Sequence, residues 1–465
     1  MAYSTIDKST SYFNTVTYSG TGSAQSITGV GFRPDWLWIK HREDVSNHKL
    51  QDAIRGSTKV IGSNETSAEA TVAQGVTSFD SDGFSLGTDA SVNGTGAKGI
   101  VAWNWLAGGT APAITYSVKV VSDSGNKYRF DDFGTSAVTL DLQEGGTYTF
   151  DQSDSSNAGH PLRFYTASDK SGGEYTTGVT TNGTPGSSGA YTRITVAASA
   201  PTLYYQCSAH AGMGGQANTN STFGSSNFSG SIQSTVSANT TAGFSIVSYT
   251  GTGSAQSMGH GLGSTPKIVI VKSRTDASTA WIFYTTVIDG SMDTLTLQTT
   301  AAKSDSSTTV PTSSVFYVPA SSSNVNTSGK NYIAYCFAEK KGYSKFGTYT
   351  GNGNSNGTFI YTGFKPSWIL IKQTSGTNLQ SWWMIDAKRD PYNVCDENLR
   401  ANGNAAASES YDMLDIVSNG FKTRWSDTAI NGSGVSYIYM AFGQSIVGSN
   451  NVPATARWLW EYLIT

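Results

Sequence analysis

The sequence predicts an all-β protein: tandem jelly-roll-like β-sandwiches, with one further Greek-key sandwich set between the first and second. Three observations carry that prediction. Charged residues make up only 14% of the 465, while 24 Tyr, 19 Phe and 11 Trp are spread among Ser, Thr, Asn and Gly. Aromatic and β-branched runs parted by turn-forming residues read as short strands. One long stretch recurs three times in order, and a repeat decides architecture before any single residue does. Asp-Gly and Asn-Gly pairs also lie between apolar runs, which is the chemistry of tight hairpins.

The first copy is Tyr18-Ser-Gly-Thr-Gly-Ser-Ala-Gln-Ser26, followed by Gly31-Phe-Arg-Pro34-Asp-Trp36-Leu-Trp-Ile-Lys40. The second is Tyr249-Thr-Gly-Thr-Gly-Ser-Ala-Gln-Ser257, followed by Gly263-Ser-Thr-Pro266-Lys-Ile-Val-Ile-Val-Lys272. The third is Tyr349-Thr-Gly-Asn-Gly353, followed by Gly363-Phe-Lys-Pro366-Ser-Trp368-Ile-Leu-Ile-Lys372. Each Pro sits at a strand entry, where its missing N–H costs little. The run after it is bulky on both faces, as expected of a strand inside a sandwich. Each copy closes on another apolar strand: Lys98 to Trp105, Lys330 to Phe337 and Val435 to Phe442. Phe79 to Phe84 and Ile416 to Phe421 read as hairpins, whereas Phe316-Tyr-Val-Pro319 in the second copy implies an altered one. Units of about 100 residues are the size of one β-sandwich and large enough to fold singly. The expected units are 1–110, 241–341 and 342–447, with 218–240 as a polar linker or extended pass. A tail at 448–465 ends in Trp458, Trp460, Tyr462, Leu463 and Ile464 and is expected to dock on another domain or chain.

Residues 113–217 differ from the repeats. Tyr116 to Val121 and Ala137 to Leu142 alternate with period two, and Thr192 to Val196 and Leu203 to Cys207 complete a small sandwich or barrel. This unit holds Asn157-Ala-Gly-His160 and, 47 residues after the histidine, Cys207-Ser-Ala-His210-Ala-Gly-Met213-Gly-Gly. A thiolate, two imidazoles and a thioether are the donors of a trigonal His₂Cys copper site with a long axial Met. Cys at a strand end, His three on and Met three further can wrap a tight loop around one point, and Gly212, Gly214 and Gly215 let it close. Two other outcomes stay open: a sandwich that keeps the cluster without copper, or four residues that never meet.

The Cys-x2-His-x2-Met loop with the upstream Asn-x-x-His resembles the cupredoxin, or blue copper, family. By that resemblance His160, Cys207, His210 and Met213 are the metal ligands, in a structural or vestigial site. The repeats resemble a domain of marine tailed-phage virion proteins. The carrying residues are Tyr18, Gly20, Gly22, Gly31, Phe32, Pro34, Trp36, Lys40, Asp82, Gly83, Phe84, Val101, Trp103 and Trp105. Repeat two departs most, lacking Phe and Trp in the second motif. The resemblance implies a concanavalin-like sandwich and a non-enzymatic structural virion protein: a tail fibre or spike segment, or a head decoration. It would be made in the host cytoplasm and act on the virion. Its partners would be other virion proteins, further copies of itself and a host-surface glycan. The competing expectations are a carbohydrate-binding adhesin and a cupredoxin-type electron carrier.

Net charge is −3 without a basic block, which argues against nucleic-acid binding. No apolar run approaches the roughly 18 residues of a membrane-spanning helix, and no export signal is evident at Met1 to Lys8. Cys336 and Cys395 read as buried inert thiols. Among other candidates, Asp80-Ser-Asp82-Gly83 reads as a turn, and Asp151 with Asp154 as a solvated loop. Asp386, Lys388, Arg389 and Asp390 read as a solvated charged face, and Trp382, Trp383 and Trp425 as core or subunit contact. The sequence carries no hydrolase elbow, P-loop or zincin motif.

Overall fold

A computed structural model describes residues 4–219, 223–376 and 379–446. The expected docking tail, 448–465, lies outside the described residues. The chain is 42% strand and 2% helix, as the all-β expectation requires. No helix among the described residues is long and apolar enough to cross a membrane.

Each repeat pairs a large antiparallel sheet with a small one. In repeat one the large sheet runs Phe13–Ser19, Gly99–Trp105, Trp36–His41, Lys49–Asp52, Gly56–Ile61, Ala70–Thr71. Its small sheet joins Gln25–Ile27 to the hairpin Val76–Asp80 and Gly83–Leu86. Repeat three follows the same plan, with Ser436–Gln444 between Ser344–Thr350 and Lys365–Gln373 and a hairpin of Leu414–Val417 with Gly420–Thr423. Repeat two has only Val315–Val318 where the others have the hairpin, paired with Gln256–Gly259. Gly83 and Gly420 make these turns possible. A Cβ at either would fall within about 2 Å of the carbonyl oxygen of Ile27 or Ile360.

The stretch expected as a linker or extended pass is extended, but it is built into a sheet rather than left as a spacer. Ser225–Asn227 and Ser234–Asn239 are strands at the edge of repeat two's large sheet. Between them Phe228 is buried in the core of the inserted sandwich, and the Tyr116 hydroxyl donates to the Ser226 carbonyl at 2.8 Å. The polar composition of this segment is that of an edge strand sewn to a neighbour through hydroxyls.

Bulk on both faces of the post-proline strands has a specific cause. In repeat one, Leu37 and Ile39 face the interior of that repeat's sandwich, while Trp36 and Trp38 enter a single core shared by all three repeats. The closing strands alternate likewise. Val101, Trp103 and Trp105, then Ile333, Tyr335 and Phe337, then Ile438, Met440 and Phe442 all join the shared core. The residues between them, such as Ala102, Ala334 and Ala441, face their own sandwiches. Units expected to fold singly therefore bury one face of their large sheets against each other.

Polar groups at corresponding positions close this core into a ring. The Trp281 indole N–H donates to the Gly62 carbonyl at 2.8 Å, and that of Trp382 to Thr296 at 3.1 Å. Repeat one has His48 at this place, with Nε2 3.0 Å from the Arg400 carbonyl. Its Nδ1 accepts from the Trp38 indole at 2.7 Å, so the proton sits on Nε2, which donates. Burial pushes His48 down to about 3, which keeps it neutral. Repeat two thus bonds to one, three to two, and one to three.

Part of the charge run at 386–390 corrects another expectation, although Lys388 is exposed as expected. Asp386 and Arg389 are not a solvated face but a fully buried ion pair at 2.6 Å. The Trp103 indole donates to the same carboxylate at 3.0 Å. Asp52 with Arg55 repeats the arrangement in repeat one, receiving the Tyr335 hydroxyl at 2.7 Å. Thr285 takes the corresponding strand position in repeat two, and the matching residue of repeat three's closing strand is Met440, which has no proton to donate. Acid and donor therefore occur together or not at all, as the cost of an unpaired buried charge demands.

The lysines that end the three runs are buried as well. Lys272 donates to the Thr66 carbonyl of repeat one at 3.1 Å, and Lys372 to the Thr300 carbonyl of repeat two at 3.0 Å. Burial lowers Lys40, Lys272 and Lys372 to about 8 from 10.5. Between those values the unfolded chain holds the extra protons, so their contribution to stability rises with pH and is flat below about 8. Cys336 and Cys395, pushed up by burial, act in the opposite sense above pH 9. The comparison is therefore differential. Between pH 8 and 10 the denaturation midpoint of wild type should rise relative to that of Lys272→Met. A constant difference would show that Lys272 keeps an ordinary affinity for its proton.

Candidate metal centre

The inserted unit is a two-sheet sandwich with its own core. One sheet runs Asn126–Phe130, Ala113–Ser122, Thr147–Asp151, Tyr191–Thr195, Val179–Asn182. The other runs Leu140–Asp141, Gln216–Asn218, Leu203–Cys207, Leu162–Tyr165. Two of its pairings are parallel: Ala113–Ser122 with Thr147–Asp151, and Leu140–Asp141 with Gln216–Asn218. Parallel neighbours need crossovers, so the unit is not a simple up-and-down meander.

Strand register brings the candidate ligands together. Leu162 pairs with Cys207 in the antiparallel ladder, so His160, two residues earlier, lies beside the sulfur. His160 is held from behind by Asn157, whose carbonyl accepts its N–H at 2.8 Å. The Asn157 amide in turn donates to the Val118 carbonyl at 2.7 Å. His210 returns on the loop after Cys207, and Met213 closes that loop, buried in the sandwich core. The Met213 carbonyl accepts the Tyr128 N–H at 2.8 Å. Gly212 has φ +70°, and a Cβ on Gly214 would overlap the Tyr205 carbonyl. Lys170 donates to the Cys207 carbonyl at 3.1 Å, and Lys127 donates to that of Gly212. The loop is fastened at both ends.

Cys207 Sγ lies 3.8 Å from His160 Nδ1 and 3.5 Å from His210 Nδ1. All three donor atoms fall within 4.8 Å of one another. These distances test the fit. Metal–nitrogen and metal–sulfur bonds of about 2.0 and 2.3 Å, meeting at 110–120°, set N and S about 3.5–3.7 Å apart. The sulfur is buried and His210 exposed. Burial, and then the neighbouring His210, lowers the pKa of His160, which favours the neutral imidazole that a metal requires. The donor set of one soft thiolate and two imidazoles suits copper. His160, Cys207 and His210 thus converge, and Met213 stands at the foot of the same loop.

The only other such cluster among the described residues is Asp289, Asp293 and Asp305. The Lys303 ammonium already sits among them, at 3.1, 2.7 and 2.7 Å, and supplies the cation. Asp82 accepts the N–H groups of Gly29 and Gly31 and is a turn residue, as expected. Trp382 and Trp383 are buried core, as expected. Sequence reasoning missed Tyr128 and Gln152, which both donate to the His160 carbonyl at 2.9 Å. Each is one polar residue on an ordinary strand or its end, and nothing in its spacing marks it.

A family defined as a domain of unknown function, DUF7483, matches residues 8–131 and 217–445, and the chain belongs to that family. No curated protein and no solved structure matches the chain. The family match spans all three repeats and breaks off over 132–216, the segment that holds His160, Cys207, His210 and Met213.

Proposed function

We propose that the chain is a structural protein of a tailed-phage virion, an exposed appendage in which three fused repeats form a mount for a copper-binding domain. The observation that carries this is the aromatic core common to the three repeats. It ties three sandwiches into one body, and the inserted sandwich keeps a core of its own. The repeat motifs that resemble virion domains support the same reading. Its partners are other virion proteins, further copies of the chain and a host-surface glycan. Copper, where bound, supplies a one-electron couple and holds the Cys207–Met213 loop to the His160 strand. Purified particles should contain the chain by mass spectrometry, and antibodies against it should decorate intact virions in electron micrographs. A chain abundant in the lysate but absent from particles overturns the proposal.

A second reading, an electron carrier, draws on the exposure of His210 at the rim of the cluster. Reversible voltammetry of the copper-loaded protein together with a soluble redox partner would favour it over a structural role.

A further inference from the structure

The small sheet of repeat three has one face on that repeat's core and one pointing away from it. Ile360, Phe421 and Ile416 lie opposite one another across the strands Phe359–Tyr361, Gly420–Thr423 and Leu414–Val417, and all three are in the core. Side chains alternate across a strand, so the rows on either side point outward. One row is Phe359, Lys422 and Asp415, the other Tyr361, Gly420 and Val417. Phe359 is 47% exposed and Tyr361 59%, and two residues of strand set them roughly 7 Å apart. The fold does not ask for either ring. At the same positions repeat one has Ser26 and Thr28, and repeat two has Ser257 and Gly259.

The surroundings are polar and positive. Lys422 donates to the Asn356 side-chain oxygen, which fastens the loop before Phe359 to this face. Asn352, Asn354 and Asn356 on that loop are exposed. Arg424 pairs with Asp415 at 2.6 Å, and Lys422 stands opposite the same Asp415 in the ladder. Two cations to one carboxylate leave the face with a net positive charge. Two rings are a small apolar patch for a protein partner, whose stable interfaces cover about 800 Å² on each side.

We propose that this face binds an acidic polysaccharide, with pyranose rings lying on Phe359 and Tyr361 and a sugar carboxylate beside Lys422. The C–H groups on the apolar side of a pyranose are weakly positive and meet the negative face of an aromatic ring. The asparagine amides offer donors and acceptors to the hydroxyls at the ring edge. The proposal narrows the host-surface glycan named above and rests on that reading.

The test places the full chain on immobilised polygalacturonate, alginate and hyaluronate, with the methyl-esterified form of each as its neutral counterpart. Wild type should hold at least one acidic polymer at low salt, roughly tenfold tighter than its ester, and lose that margin at high salt, where charges are screened. Phe359→Ser with Tyr361→Thr installs the residue types that repeat one carries at these positions, so the fold should survive while binding falls about tenfold or more. Lys422→Gln should bring the acidic polymer down to the level of its ester. Failure to hold any acidic polymer overturns the proposal, and so does binding that the double variant leaves intact or that the esters match. If the double variant instead breaks up an oligomer of the wild type, or detaches the chain from purified particles, the face is a protein contact and the proposal falls. Polysaccharide binding by a chain absent from particles would sink the virion reading and leave this site standing. Particles that carry the chain without polysaccharide binding would do the reverse.

Discussion

Cys207→Ser should remove the intense visible absorption of copper-loaded protein and, with it, any rise in melting temperature caused by copper. The substitution changes one buried atom. Cys207 stands in a ladder with Leu162, and serine keeps that backbone bonding, so the metal-free fold should survive. What goes is the soft donor placed 3.5 and 3.8 Å from two imidazole nitrogens. An alcohol does not ionise near neutral pH and gives no low-energy charge transfer to Cu(II). At free copper 100 times the dissociation constant, binding stabilises the folded state by about 2.7 kcal/mol. That increment should be present in wild type and absent from the variant. Elemental analysis and a copper titration followed by absorbance and melting decide it. A colourless wild type without bound copper, its thiol shown to be reduced, would remove the metal claim. Unaltered colour in Cys207→Ser would move the site elsewhere.

The parts of this centre that could be read in the sequence were those fixed by short spacing. Cys207, His210 and Met213 lie on one loop, and loop length alone limits how far apart they fall. His160 could be connected to them because a strand partner was expected, although the register that sets it beside Cys207 could not be seen. Tyr128 and Gln152 act on a backbone carbonyl, which has no letter in the sequence. The same limit applied to the repeats. Their internal similarity and strands could be read from Pro34, Pro266 and Pro366 and the runs behind them, but the size of each unit suggested independence. Bulk on both faces of Trp36-Leu37-Trp38-Ile39 was the signal for a second burial surface, and it was assigned to the interior of one sandwich. Likewise Asp386 and Arg389 looked like surface charge. Pairing at i, i+3 and a donor 283 residues away, Trp103, are what allow them inside.

That shared core sets up the second large effect. Trp36→Ala should cost about 3–5 kcal/mol, the range for deleting a buried aromatic, and the loss should be felt in repeats one and two at once. Trp36 is 2% exposed. Its ring lies 4.4 Å from that of Trp105 in its own repeat, and 4.5 Å from Tyr335, nearly parallel, in repeat two. Phe244 and Phe337 of repeat two also border it. The cavity would open at the seam, and neither repeat can collapse into it without losing the other's contacts. The Trp36 indole N–H has no acceptor among the described residues. Trp36→Phe therefore gives up volume but no hydrogen bond, and should cost clearly less than Trp36→Ala. Hydrogen exchange read by mass spectrometry separates the alternatives. If the ring folds as one, Trp36→Ala should lower protection in the closing strands of all three repeats together, while the strands of the inserted sandwich, which rest on a separate core, keep theirs. Loss confined to residues of repeat one would mean that the three units are stable alone and merely touch. The buried ion pairs favour the first outcome: Asp52 and Asp386 each find their third partner, a neutral donor, in a different repeat, so a repeat that opened alone would take a hydrogen bond from a buried carboxylate.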